Sequence, residues 1–386
     1  MITKPLSELA EIQTGPFGSQ LHKEDYVEQG TPIVTVEHLG KRQFSEQNLP
    51  NVSDSDKDRL SKYTLKTGDI VFSRVGSVDR CSFVDEKHEG WMFSGRCLRV
   101  RPNKEIDALF LYYFFCMEDT KRFVRNIAVG ATMPSINTKL MGEIPITFPN
   151  IEQQKKIASI LCRIDDKIEN NEKINNNLLE QAIALYSKMS PFSVDSDLPQ
   201  GWRIGTVGDV VDIHDSKRIP LSGKERDQME NKIYPYYGAA SLMDYVDNYI
   251  FDGKYLLLGE DGTVVDDKGY PILQYVWGKF WVNNHAHILT GSKGFSVESL
   301  YVLFKQTSVA SIVTGAVQPK ISQANLRSIK IVIPPESTIK AYNDQVEPMF
   351  SLIRANEDFN RSLFQVRDAL LPKLMSGELD VSDVEI

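Results

Sequence analysis

The sequence predicts an α+β protein made of two similar bodies, each a curved or barrel-like sheet with helices. Two long helices join the bodies and form an antiparallel coiled coil, so that the whole has pseudo-two-fold character. Three observations predict this. The stretch GATMPSINTKLMGEIPITFP (Gly130–Pro149) returns 185 residues later as GAVQPKISQANLRSIKIVIP (Gly315–Pro334), with Gly130, Ala131, Pro134, Ile136, Ile144, Ile146 and Pro149 matched without a gap. Two heptad seams recur at that same offset. Each seam follows about 130–150 residues rich in strand and glycine-turn signals.

The first body is placed at residues 1–150. GDIVFSRVGSVDRCSFV reads as strands broken by glycine turns, and IDALFLYYFFCMEDTKRFVRNI reads as helix. The first long helix is placed at 151–190, where Glu152 to Met189 contain neither Gly nor Pro. Apolar residues step 4-3-4 through Ile157, Leu161, Ile164 and Ile168, then through Leu178, Ala182, Leu185 and Met189, with Asn171 and Asn175 in the same frame between them. At 1.5 Å per residue such a helix is roughly 55 Å long. A linker at 191–200 leads to the second body at 201–335, where KYLLLGEDGTVVDD repeats the strand and turn pattern and VVDIHDS (Val210–Ser216) echoes LAEIQTG (Leu9–Gly15) at an offset of 201.

The second long helix is placed at 336–376, before a tail at 377–386. Its seam runs through Tyr342, Val346, Met349, Ile353, Asn356, Asn360, Leu363, Leu370 and Leu374. Pro348 predicts a kink near its start, and Arg367 stands where the first helix has Ala182. Each helix packing on its own body is one reading of the seams. Pairing of the two helices is the other, favoured by the matched asparagines, because an antiparallel pair brings those polar breaks together.

Composition excludes several classes. No run of about 18 apolar residues exists to span a membrane, and the start MITKPLSELAEIQTG lacks an apolar signal region, so a cytoplasmic protein is expected. Cys81, Cys97, Cys116 and Cys162 are too far apart in sequence for a C-x-x-C pair, so reduced thiols are expected. Net charge is -8, but residues 336–386 carry -5 of it, while 1–150 and 200–335 carry -1 and 0. Local basic faces remain compatible with the two bodies; a uniformly basic protein is excluded. Two similar bodies on a rod suit a target with two separated sites, and helices of roughly 55 Å match about one to one and a half turns of duplex DNA.

TGPFGSQLHKEDY, GDIVFSRVGSV, EQQKKIASILCRIDDKIE, YPYYGA, WVNNHAHIL and LLPKLMSGELDV stand in the order found in type I restriction–modification specificity (S) subunits, and the sequence resembles that family over essentially its whole length. The resemblance implies two target-recognition domains, each reading half of a bipartite double-stranded DNA sequence, with the helices acting as a ruler. It further implies docking of two modification (methyltransferase) subunits, restriction subunits in the larger complex, and no chemistry by this chain. S-adenosylmethionine, ATP and Mg would then sit on partner subunits, with no cofactor or metal on this one. The absence of an Asn/Asp-Pro-Pro-Tyr/Phe tetrad, a phosphate loop and an H-E-x-x-H motif agrees.

The glycine-rich GPFGS reads as a tight turn, but because the family places a loop there, Ser19, Gln20, His22 and Lys23 are candidate groove contacts. Base reading needs directional donors and acceptors, arginine for guanine and Asn or Gln for adenine. In the first body Arg74 is the leading candidate, with Arg80, Arg96, Thr132, Met133, Ser135 and Asn137 beside it. Lys121, Arg122 and Arg125 form either a phosphate-binding helix face or a solvated one. In the second body the candidates are Tyr236, Tyr237, Glu260, Asp261, Gln318 and Lys320, with Asp261 equally suited to stabilising a turn. His285 and His287, two apart, would share one face of a strand and serve either the fold or DNA. Arg74 stands beside Gly259, and Thr132-Met133 beside Val317-Gln318, so an asymmetric target is expected.

Rival readings are a specificity subunit of another restriction class, an orphan recognition subunit, a metal-dependent hydrolase using His285 and His287, and a coiled-coil scaffold. The acidic balance predicts weak affinity for DNA alone, with modification subunits supplying many phosphate contacts.

Overall fold

The computed structural model describes residues 1–315 and 317–384, without the side chain of Ser19. The chain forms two compact units: Met1–Ile168 with Arg361–Ile386, and Glu169–Asn360. Each unit therefore takes part of both long helices, which run over Ile151–Met189 and Glu336–Ser376. The second helix continues without a break through Pro348.

In the first unit a four-stranded sheet runs in the order Ala10–Thr14, Cys97–Pro102, Ile70–Ser73, Cys81–Phe83. A second four-stranded sheet pairs Tyr26–Val27, Asn51–Val52, Thr31–Val34 and Met92–Phe93, and Ile2–Pro5 pairs with Pro145–Phe148. In the second unit Val211–Ile213, Ala286–Gly291, Phe251–Gly259 and Leu273–Val282 repeat the first order, and Tyr234–Tyr237 and Leu242–Val246 extend it to six strands. Arg203–Thr206 pairs with Lys330–Ile333 as the counterpart of the two-stranded ribbon. The apolar central strands explain these sheets: Ile70, Val71 and Phe72 in one unit and Leu256, Leu257 and Leu258 in the other are buried on both faces.

The helices that cover these sheets repeat as well. Ala108–Cys116 starts at Asp107, whose side chain accepts from the Phe110 amide, and Val297–Lys305 starts at Ser296, which accepts from Ser299. Asn137 and Ser322, 185 residues apart, cap two further short helices in the same way. Asn137 thus spends its side-chain oxygen on the Leu140 amide at 2.9 Å, which removes that acceptor from the candidate base contacts.

Within each unit the two long-helix segments run antiparallel. In the first unit Ile157, Ala158 and Leu161 share a core with Leu371, Leu374 and Met375. Arg367 does not disturb this packing: its Nη1 donates to Asp165 at 2.9 Å, and Asp165 also accepts from the Tyr113 hydroxyl at 2.8 Å. Burial, and then the Asp165 charge, pushes the Tyr113 phenol well up, so it stays a donor. In the second unit Asn171 donates to Asn360 at 2.7 Å and Asn356 donates to Asn175 at 2.8 Å. The 185-residue offset turns Asn171 into Asn356 and Asn175 into Asn360, so the two bonds are copies of each other. Farther along, the Tyr342 hydroxyl donates to the Ala182 carbonyl at 3.0 Å. Ile168 and Val346 are buried on the seam, and Ile164, Leu178, Met349, Ile353, Leu363 and Leu370 are half-buried.

The asparagine pairs have a testable cost. Asn360→Leu alone strands the buried Asn171 amide and should lower stability by ~1–3 kcal/mol. Adding Asn171→Leu should recover that loss or exceed it, because two apolar groups replace a polar pair in a heptad seam. A double-mutant cycle in denaturant unfolding measures the coupling; additive effects would show that the pair does not interact.

Candidate nucleic-acid interface

The loop after Ile70–Ser73 is held from both sides by main-chain bonds. The Arg74 amide donates to the Arg96 carbonyl at 2.8 Å, the Arg74 carbonyl accepts from Ile136 at 3.0 Å, and Gly76 donates to Pro134 at 2.8 Å. Val129 and Ser135 exchange two further bonds at 2.9 and 2.8 Å. The GPFGS turn closes against this frame backbone to backbone. A Cβ on Gly15 would lie 2.2 Å from the Ser94 carbonyl oxygen, and one on Gly95 would lie 2.3 Å from that of Pro16. Only glycine fits such an approach.

This packing sets the Phe17 ring 5.8 Å from the Arg74 guanidinium, whose Nη1 donates to the Gly95 carbonyl at 3.0 Å. Phe17 is 61% exposed, and Val129 and Met133 are also exposed beside this frame. Phe17, Val129 and the anchoring Gly95 escaped the sequence reading. An aromatic residue set between glycines in GPFGS was the signal that could have found the first of them.

The second unit builds the same frame. The Glu260 amide donates to the His285 carbonyl at 2.8 Å, the Glu260 carbonyl accepts from the Ile321 amide at 2.8 Å, and the Gly262 amide donates to the Pro319 carbonyl at 3.0 Å. Thr314 and Lys320 exchange bonds at 2.9 and 2.7 Å, as Val129 and Ser135 do. Gly76 and Gly262 both have positive φ, +76° and +83°, at the turn each loop requires. Arg74 therefore corresponds to Glu260, not to Gly259. The local offset is 186 because the second unit has one residue fewer between this loop and the repeat, 61 positions from Glu260 to Ile321 against 62 from Arg74 to Ile136. By the same bonds Arg96 corresponds to His285 and Ser135 to Lys320. Thr132-Met133 and Val317-Gln318 stay matched by sequence, next to Ala316, which is outside the described residues.

Charge is arranged differently in the two frames. Glu260 meets Arg218 Nη1 at 2.6 Å through one carboxylate oxygen and Lys320 Nζ at 3.3 Å through the other. Arg218, also missed in the sequence, further donates to the Ala286 and Asn284 carbonyls at 2.8 and 3.2 Å. Behind them Asp215 accepts from Gln323 at 2.6 Å and from the Ile288 amide at 3.0 Å, and faces His287 Nδ1 at 2.6 Å. Burial alone would raise the Asp215 carboxyl, but His287, the Ile288 N–H and the Arg218 charge outweigh it and hold the group below its ordinary value.

Several candidates are corrected by their surroundings. His287 is fully buried, with Nε2 directed at the Ile321 carbonyl at 2.8 Å, whereas His285 sits in the turn before the strand with Nδ1 directed at Asp261 at 2.5 Å. The two imidazoles do not share a strand face, and His287 belongs to the core. Carboxylates of Asp215 and Glu260 and the His287 ring do come within 4.8 Å of one another. Both His287 nitrogens already point at protein acceptors, however, and Arg218, Lys320 and Gln323 face the carboxylates, so the donor set suits an ion-pair network and not a cation. Tyr236 is 1% exposed, and its hydroxyl accepts from the Leu221 amide at 3.1 Å, so it packs the body and does not face a groove. Tyr237 is half-buried against Phe280.

Arg80 donates to the Leu39 carbonyl, and Gln20 accepts from the Tyr63 hydroxyl at 2.7 Å. Arg122 pairs with Asp119, and Arg125 with Asp79 and Glu118, which leaves the Glu118–Ile127 helix a mixed face, not a cationic one. Lys121 on that helix is half-buried. The His22 amide donates to Asp25 at 2.6 Å, while Lys23, Arg96, Thr132, Met133, Gln318 and Lys320 are exposed. Ser135 bonds back to the Val129 carbonyl at 3.1 Å. Ser19 lies outside the residues described at side-chain level.

Two α+β units, each presenting a hydrogen-bonded loop frame whose backbone bonds repeat while its side chains change, define a duplicated recognition protein. The chain belongs to the family of type I restriction modification DNA specificity domains, whose model matches residues 1–180 and 199–351, once in each half. It is 26% identical to the type I restriction enzyme MjaIX specificity subunit of Methanocaldococcus jannaschii, over 74% of this chain and 72% of that one. It is 21% identical to the HindI specificity subunit of Haemophilus influenzae, over 87% and 91%. The crystal structure of the type I restriction-modification system S subunit from M. genitalium shares the fold with a TM-score of 0.57 at 17% identity, covering 97% of this chain and 95% of that one. The chain is thus the DNA-specificity component of a multisubunit restriction-modification system. Among the described residues no helix is long and apolar enough to cross a membrane.

Proposed function

We propose that each unit reads one half of an asymmetric bipartite site in double-stranded DNA, through the loop frames around Arg74 and Glu260. The observation that carries this reading is the pair of frames itself: the same main-chain bonds, with Arg74, Arg96 and Ser135 replaced by Glu260, His285 and Lys320. Fixed backbone with exchanged side chains is what separate readout of two sequences needs, since base edges are distinguished by the donors and acceptors aimed at them. The paired long helices set the half-site spacing and dock two modification subunits, and restriction subunits complete the assembly. This chain is non-catalytic and acts in the cytoplasm. S-adenosylmethionine, ATP and Mg belong to its partners.

The test is the genome-wide DNA methylation pattern of the source cell with and without this gene. Loss of one bipartite, asymmetric methylated motif is the expected result. An unchanged pattern, with the modification subunits shown to be expressed, would overturn the proposal.

A further inference from the structure

We propose that Lys320, steered by Glu260, reads the acceptor edge of a guanine in the second half-site, from the frame position that Ser135 holds in the first unit. The inference rests on the reading that these loop frames face DNA.

An acidic residue in the position of Arg74 would by itself suggest an acceptor for a cytosine amino group. Its surroundings rule that use out. The Glu260 side chain is 14% exposed and both its oxygens face cations, Arg218 at 2.6 Å and Lys320 at 3.3 Å. Of those two cations Arg218 is 13% exposed and committed to the Ala286 and Asn284 carbonyls, so it braces the loop from inside. Lys320 is different. Its backbone is pinned in both directions to Thr314, and it pairs with Asp261 across the loop. Its side chain is 50% exposed. Its ammonium, which carries three donors, lies 3.3 Å from Glu260 as an ion pair. A lysine is normally a flexible point charge. Here a backbone pinned to Thr314 and a carboxylate partner hold it in place, as the Gly95 carbonyl and Phe17 ring do for Arg74. In the major groove guanine presents O6 and N7, the acceptors that Lys and Arg both match. Glu260 is on this account a positioning residue.

The experiment uses the full chain expressed with its modification subunits, with the methylated motif read at single-base resolution. Lys320→Met should reduce the preference for guanine at one position of the second half-site by about 10- to 100-fold and leave the first half-site unchanged. Lys320→Arg should keep the guanine. Glu260→Gln should relax the same single position by a smaller factor, whereas a merely structural role would lower methylation of all sites alike without changing base preference. If Lys320→Met abolishes methylation outright, Lys320→Arg decides: recovery of the wild-type motif supports the inference and continued loss overturns it. An unaltered motif in Lys320→Met, or a second half-site with no G·C pair, overturns it as well. Arg74→Ala separates the two levels. If it alters the first half-site while Lys320→Met alters nothing, the inference fails and the frame reading stands. If neither alters the motif, the frame reading fails too.

Discussion

Arg74→Ala is expected to relax one position of the first half-site by about 5- to 150-fold, the equivalent of the ~1–3 kcal/mol that a bidentate arginine–guanine contact discriminates. The second half-site should be read as before. The reasoning separates fold from recognition. Among the described residues the Arg74 side chain makes one hydrogen bond, to the Gly95 carbonyl at 3.0 Å, and one loose ring contact with Phe17. The loop is held instead by main-chain bonds through the Arg74 amide and carbonyl, which the substitution keeps. Unfolding stability should therefore change little while the methylated motif changes at one base. An unchanged motif, or a loss of methylation that tracks a loss of folded protein, would refute the assignment.

Asp215→Ala should have the largest effect on stability, lowering that of the second unit by ~3–5 kcal/mol, because removing one member of a buried charged network strands the others. Asp215 is 8% exposed and serves Gln323, His287 and the Ile288 amide at once. Its folded value lies below the ordinary 3.8 of an aspartate, so its contribution is fully present above that pH and is lost as pH falls through the folded value. Glu298 acts in the same sense. Burial would raise its carboxyl, but Lys254 and Tyr275 hold it below its ordinary 4.5. Denaturant unfolding between pH 7 and 3 should show the wild type losing stability below about pH 4, with a shallower fall in Asp215→Ala. Equal stability at pH 7, or identical slopes in acid, would show that the Asp215 network contributes nothing.

Much of this was legible in the sequence because it is periodic or repeated. The heptad steps located both long helices within a residue or two, and the paired asparagines announced a polar break shared by two antiparallel segments. Glycine turns and apolar runs marked the central strands. Pro348 did not interrupt its helix, since the segment is long and one side is packed in the core through Tyr342, Val346 and Phe350. Arg367 found a partner in Asp165, which its own position could not announce.

The recognition loops were less legible. Arg74 and Glu260 became equivalent only through hydrogen bonds, because a one-residue difference in length between loop and repeat shifts a gapless alignment while the backbone frame stays the same. Tyr236 and His287 look like surface polar residues in sequence. They are buried because a short-range pattern does not reveal which sheet face Trp281, Val246 and Ile321 will cover. By itself, then, the sequence determined the duplication and the helices, carried by spacing along the chain, and pointed to the class of protein through the resemblance of its motifs to a known family. Tertiary structure alone decided which charged side chains are spent inside the fold, Arg218 and Glu260 among them, and which, like Arg74 and Lys320, keep part of their surface exposed. The physical reason is that a charge's role depends on its partners and its exposure, and those come from residues dozens of positions away.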